Sequence, residues 1–278
     1  MNRTRTLFLM ALLTGLLVVL GGALAGRQGA TLAFVMAAAM NFYAYWRSDK
    51  VVLSQYRARA LSRENAPELF QVVEELSQRA GIPVPSLYLI PGDTPNAFAT
   101  GRNPEHAAVA VTGGLMKALE TDEIRGVLAH ELGHVRNRDI LTQTIAATLG
   151  GAVSLMGTWA RYGSPGSQRR GGGILLLLTA LLAPVAALLI RSAISRTREF
   201  AADEAGAMLA GDPEPLASAL LKLEAWSQRR PMRALPTSAH MFIVNPLRGG
   251  GMARLFSTHP PTEERVRRLR ALAPSSAG

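Results

Sequence analysis

The sequence predicts a mainly α protein, with four transmembrane helices in two hairpins carrying a mostly helical polar domain with a small antiparallel sheet. Three observations carry that expectation. Of the 278 residues 48% are apolar although only 6% are aromatic, and the mean hydropathy is positive. The apolar residues gather into four blocks without a charged residue instead of spreading along the chain. The polar remainder falls into two stretches, 47–139 and 191–278, neither large enough for a rich core alone, so the two are expected to fold as one domain. The layout is therefore a hairpin over 1–46, a first polar part over 47–139, a second hairpin over 140–190 and a second polar part over 191–278.

Taken in order, the blocks run over 6–26, 29–46, 140–160 and 172–190, each close to the ~20 residues a helix needs to cross a bilayer. Tyr43, Tyr45 and Trp46 close the second block as interfacial aromatics do. The first block has a rival reading as a signal peptide ending in "ALA" at 23–25, but only three residues separate that site from the next block, and a tight hairpin accounts for this better. Arg3 and Arg5 precede the first block, only Arg27 lies between the first two, and Arg47, Lys50, Arg57 and Arg59 follow. The positive-inside rule then puts both polar stretches on the cytoplasmic side, with Arg161, Arg169 and Arg170 running against the pattern.

Within the polar stretches, 66–81 reads as an amphipathic helix ended by Gly81. The β-prone runs 86–90, 96–100 and 106–112, separated by Gly, Pro, Asn and Asp, suggest an antiparallel meander. Thr121, followed by Asp122 and Glu123, looks like the N-cap of the next helix. Further helices are expected over 195–206, as a continuation of the fourth block, over 213–228, and from Thr262 to about Leu272. "GGGM" at 249–252 reads as a turn and the tail "APSSAG" as loose.

The chemistry concentrates in "VLAHELGHVRNRD", residues 127–139. His130 and His134 stand four apart, so a helix puts both imidazoles on one face, a turn apart, within reach of one ion. Glu131 lies about 100° round the helix, poorly placed as a ligand and well placed to take a proton from a water held by the metal. That is the logic of H-E-x-x-H and predicts zincin-like peptide hydrolysis. Gly133 is expected to leave room for a substrate. The chain has no cysteine, so any zinc ligand must be His, Asp or Glu, and disulfide and thiol chemistry are excluded. Glu199 and Asp203 are again four apart. Alone they would read as a solvated acidic face paired with Arg196 and Arg198; beside the histidine pair, Glu199 reads as the third ligand and Asp203 as the acceptor that fixes a ligand histidine's tautomer. If the helices run unbroken, His134 stands roughly 9 Å from the third block and Glu199 roughly 13 Å from the fourth, at similar heights above a bilayer.

Three features are weaker. Asn96, Ala97 and Phe98 read as an edge strand that would pair with an extended peptide, or as simple packing within the sheet. His259 is either a donor to a developing oxyanion or a histidine fixing the turn before the last helix. Arg265 joins it or pairs with a local carboxylate. His106 and His240 read as structural. The formal charge of +10 fits arginines meeting lipid headgroups, and no nucleic-acid motif is present.

The segments "NAFATG", "VTGGLM", "LAHELGHVRNRD", "SRTREFAADEAG", "AHMFIVNPL" and "LFSTHPPTEERVRRL", together with the four blocks, resemble the HtpX-type membrane metalloproteases, relatives of the type I prenyl-protein (CAAX) proteases. The resemblance implies one zinc per chain held by His130, His134 and Glu199, Glu131 as base and Asp203 behind the ligands. It implies a bacterial inner-membrane location and misfolded or damaged membrane proteins as substrates, in quality control and heat stress. Two alternatives stand: a prenyl-protein protease, for whose lipid chamber four segments are few, and a non-catalytic zinc-binding scaffold or transporter, disfavoured by the absence of charge within the blocks. Oligomeric state is not legible.

Overall fold

The computed structural model describes residues 2–162, 180, 195–229, 241–244 and 260–272. The fourth apolar block apart from Ala180, the loop 163–171, His240, the turn at 249–252, His259 and the tail lie outside them.

Helix α1 (Asn2–Gln55) is broken at Ala25 and Gly26, where Gly26 takes a positive φ of 57°. The break folds the chain into a hairpin, because Gly21 and Gly29 pack so closely that a Cβ on Gly21 would lie 2.4 Å from the Gly29 carbonyl oxygen. Farther along the pair, Asn41 Nδ2 donates to Thr14 Oγ1 at 2.8 Å. The first two blocks are thus the two arms of this hairpin. The third block is helix α5 (Ile140–Tyr162), which lays Leu141, Ile145 and Leu149 on Met10 and Leu13 of α1. Among the described residues no helix is long and apolar enough to cross a membrane.

The polar domain follows the expected order. Helix α2 (Pro67–Ala80) buries Leu69, Val73, Leu76 and Ala80 on one stripe and stops at Gly81, whose φ of 66° closes a left-handed cap. Strands β1 (Arg59–Ala60), β2 (Ser86–Ile90), β3 (Ala97–Gly101) and β4 (Ala107–Thr112) form one sheet in the order β1-β2-β4-β3. The expected antiparallel meander is corrected here: β2 and β4 are parallel, while β4 pairs antiparallel with β3 and β1 antiparallel with β2. The segment 91–96 does not turn back as a hairpin. It passes over the end of β4, tied down where Gly114 N–H donates to the Gly92 carbonyl (2.9 Å) and Asn96 N–H to Thr112 Oγ1 (2.9 Å). That jump leaves β3 as an edge strand.

Helix α3 (Gly113–Ala118) leads into α4 (Thr121–Arg136), whose cap is Glu120 and not Thr121: Glu123 Oε2 accepts the Glu120 N–H at 2.9 Å, as in a capping box. Helices α6 (Arg196–Ala210), α7 (Glu214–Arg229) and α8 (Thr262–Leu272) complete the domain. Residues from both polar stretches share one core, in which Val127, Leu128 and Leu132 of α4 meet Leu216 and Leu220 of α7, Leu269 of α8 and the sheet.

The assumption of unbroken helices fails at both ends. Helix α4 stops at Asn137, and Arg138 takes a positive φ of 58° before α5 begins. Ser195 is extended, so α6 starts afresh. The height comparison above the bilayer therefore loses its premise, and the two parts of the site are brought together by direct packing of α6 on α4.

Candidate metal centre

Close helix packing builds the site. A Cβ on Gly206 of α6 would lie 2.9 Å from the backbone of His130, and one on Gly133 of α4 would lie 3.2 Å from the Ala202 carbonyl oxygen. Gly133 therefore serves the contact between α4 and α6, not substrate access as its sequence position suggests. At this separation α6 presents Glu199, in its first turn, and Asp203, about one turn farther on, to the two histidines.

His130, His134 and Glu199 each offer a ligand atom, all within 4.8 Å of one another, and all three side chains are buried. His134 Nε2 stands 3.6 Å from Glu199 Oε1. Two donors about 2.0–2.1 Å from a tetrahedral zinc lie roughly 3.4 Å apart, so the donor set and spacing fit that ion. Each imidazole turns its other nitrogen to a carboxylate. His130 Nδ1 lies 2.9 Å from Asp203 Oδ1, and His134 Nδ1 lies 3.4 Å from Asp139 Oδ2. Asp139 was not singled out from the sequence, where it looks like one more charge in "RNRD"; only the left-handed turn at Arg138 brings it back over His134.

Arg265 is fully enclosed and forks onto Asp203, with Nε donating to Oδ2 at 2.8 Å and Nη2 to Oδ1 at 2.6 Å. Its Nη1 donates to the Ile243 carbonyl at 2.8 Å. Arg265 thus pairs with a carboxylate, as one of its two readings has it, but with the distant Asp203 of α6 and not with one local to its own helix. His259, its suggested companion, lies outside the described residues. His106 is bound to Asn103 Oδ1 at 2.7 Å on an exposed loop.

Glu131 reaches the sheet. Its Oε2 accepts the Ala99 N–H at 2.9 Å, on the outer edge of β3. The next outward amide, Gly101 N–H, is taken by Thr144 Oγ1 of α5 at 3.2 Å. Phe98 stacks near Tyr56, their ring centroids 5.5 Å apart, and Asn96 Oδ1 accepts the Ile243 N–H at 3.2 Å. All of β3 is buried. Phe98, Gln143, Met241, Phe242 and Ile243 close a cavity of about 10 Å³ over the ligand residues and Glu131.

The electrostatics follow from burial. Desolvation, reinforced by Glu199, lifts the Glu131 carboxyl to about 7 against the opposing pull of His134. Burial draws His134 down, but its hydrogen bond to Asp139 and the charges of Glu199 and Glu131 prevail and raise it to about 9. Burial dominates at His130 and lowers it. Asp203, despite a burial that acts upward, is held at about 2 by Arg265 and His130.

Residues 63–273 match the model of peptidase family M48. The chain is 54% identical to the "Protease HtpX homolog" of Syntrophobacter fumaroxidans over 280 residues, covering 98% of this chain and 99% of that relative. It is likewise 54% identical to the "Protease HtpX homolog" of Pyrococcus furiosus over 275 residues, covering 97% and 95%. Among solved structures its fold is similar to that of S. mikatae Ste24p, with a TM-score of 0.51 and 22% identity over 84% of this chain and 57% of that one.

Proposed function

This chain belongs to peptidase family M48 and is a zinc metalloprotease, and on that premise we propose that it is an endopeptidase held in a lipid bilayer, cutting extended segments of misfolded or damaged membrane proteins. The observation that carries this reading is the convergence of three buried ligand atoms with a carboxylate that already touches the edge of a sheet. His130, His134 and Glu199 would hold the zinc, which when bound would supply the Lewis acidity that makes a water nucleophilic near neutral pH. Glu131, buried beside the ligand residues, takes the proton of the attacking water. The outward main chain at Ala97 pairs with the substrate, joined by that of Ala99 once its N–H leaves Glu131, with Asn96 and Phe98 beside the bound segment. Asp203, clamped by Arg265, keeps His130 oriented.

The bilayer reading is supported by the hairpin of α1. Its large apolar side chains, Phe8, Val19, Leu32, Phe34 and Phe42 among them, face outward where a water-soluble helix would carry polar groups. The charge-free blocks 6–26, 29–46, 140–160 and 172–190 would be the membrane segments; the arginine distribution supports a cytoplasmic metal centre, and a bacterial inner membrane is what the family resemblance implies. The expected partners are lipid and polypeptide substrates, with quality control under heat stress as the setting.

Metal analysis of the detergent-purified protein, paired with casein digestion with and without a chelator, tests the reading. About one zinc per chain and chelator-sensitive cleavage are expected. Chelator-insensitive cleavage by a zinc-free protein would overturn it.

A further inference from the structure

The geometry points to Asp139 as a positioning residue of the metal centre, doing for His134 what Asp203 does for His130. The inference rests on the reading of His134 as a zinc ligand and goes beyond it. Three observations carry it. The first is direction: His134 Nε2 faces Glu199 while Nδ1 faces Asp139 Oδ2 at 3.4 Å, so the carboxylate sits where it would accept the ring N–H and leave Nε2 unprotonated for the ion. The second is enclosure. Asp139 and His134 are both buried, and Arg198 Nε, 3.9 Å from Asp139 Oδ1, supplies compensating positive charge. The third is the backbone that delivers it. Asp139 N–H donates to the His134 carbonyl at 3.0 Å and Arg138 adopts a left-handed conformation, uncommon for a residue with a side chain. The cost of that turn returns the chain onto its own metal ligand five positions later.

Asp139 also begins α5, its carbonyl accepting the Gln143 N–H at 3.3 Å. The residue that orients a metal ligand is thus the residue that starts the helix packed on the apolar hairpin. A purely structural account would make Asp139 only the cap of α5, and the two accounts can be separated by side-chain length. Serine caps a helix about as well as aspartate but is too short to reach His134.

The test compares Asp139→Ser and Asp139→Asn with the parent protein in detergent. Zinc affinity is read by competition with a chromophoric chelator, the ligand field by the visible spectrum of the cobalt-loaded protein, and fold by thermal melting without metal. Asp139→Ser, compared with the parent at a temperature where both metal-free proteins are folded, is expected to bind zinc about 10- to 100-fold more weakly, with a shifted cobalt spectrum. Asp139→Asn, which retains a carbonyl oxygen at the same reach, is expected to fall between. Parent-like zinc affinity, or a parent-like cobalt spectrum, in folded Asp139→Ser would overturn the inference. Absence of zinc binding by the parent itself would instead strike the reading of function on which it rests.

Discussion

Helix α4 and the hairpin of α1 are both long helical segments, and they invert the usual relation between residue type and place. Helix α4 buries His130, Glu131 and His134 at 1%, 5% and 4% exposure, whereas α1 leaves Phe8 and Phe42 exposed at 66% and 67%. Ionisable groups lie inside and large apolar groups outside. Each inversion is costly in water, and each marks where the surroundings are not water. In α4 they are a protein interior that makes electrostatic interactions strong; in α1 they would be, on the proposed bilayer reading, the hydrocarbon for which such a surface is suited.

The sharpest way to break this comparison is at Glu131. Glu131→Gln keeps the shape of the carboxylate, so zinc content should stay near that of the parent while casein cleavage falls by about 10³-fold. An active Glu131→Gln protein would mean that the buried charge is not there for proton transfer.

Next in size is the effect of pH on the metal-free protein. Burial holds Glu131 at about 7 in the folded chain against an ordinary 4.5, so between these the folded chain holds the extra proton. Stability should therefore fall as pH rises through that window, and Glu131→Gln should escape a loss of about 3 kcal/mol. His134, raised to about 9, acts in the same direction: its contribution is complete below 6.5 and is lost as pH climbs through 9. Chemical denaturation at a series of pH values, with chelator present, reads both.

On the other side of the comparison, Phe34→Arg in the hairpin should cost about 3 kcal/mol of membrane insertion if the exposed face meets lipid. Glycosylation-site mapping or membrane flotation would detect it, and parent-like partitioning would count against the bilayer reading. The smallest effect is expected at the clasp between the arms, where Asn41→Leu removes the bond to Thr14 at about 0.6 kcal/mol, measured by unfolding in mixed micelles.

What the sequence revealed tracks what is local. H-E-x-x-H places two ligands and a base by helix geometry alone, and Gly81 ends α2 by its own backbone preference. Strand order escaped the reading because a six-residue connection is as compatible with a hairpin as with the step over β4 that 91–96 makes. Strand β1, two exposed residues long, has no alternation to detect. Asp139 and Arg265 acquire meaning only through contacts that composition cannot report: a left-handed turn for the first, and for the second an ion pair with a residue 62 positions away. Gly133 was recognised as special for a reason that packing replaced, since the space it leaves is filled by Ala202.

The cavity over the ligands, at about 10 Å³, admits about one water, whereas pockets that hold organic ligands span ~300–1,000 Å³. On the proposed function an extended polypeptide has to widen this space, and Met241, Phe242 and Ile243 line it beside the metal ligands. On that reading capture is a two-step process in which the observed binding rate levels off as peptide concentration rises. Such a protease would discriminate by waiting time, favouring chains that linger unfolded beside it over those that pass by folded.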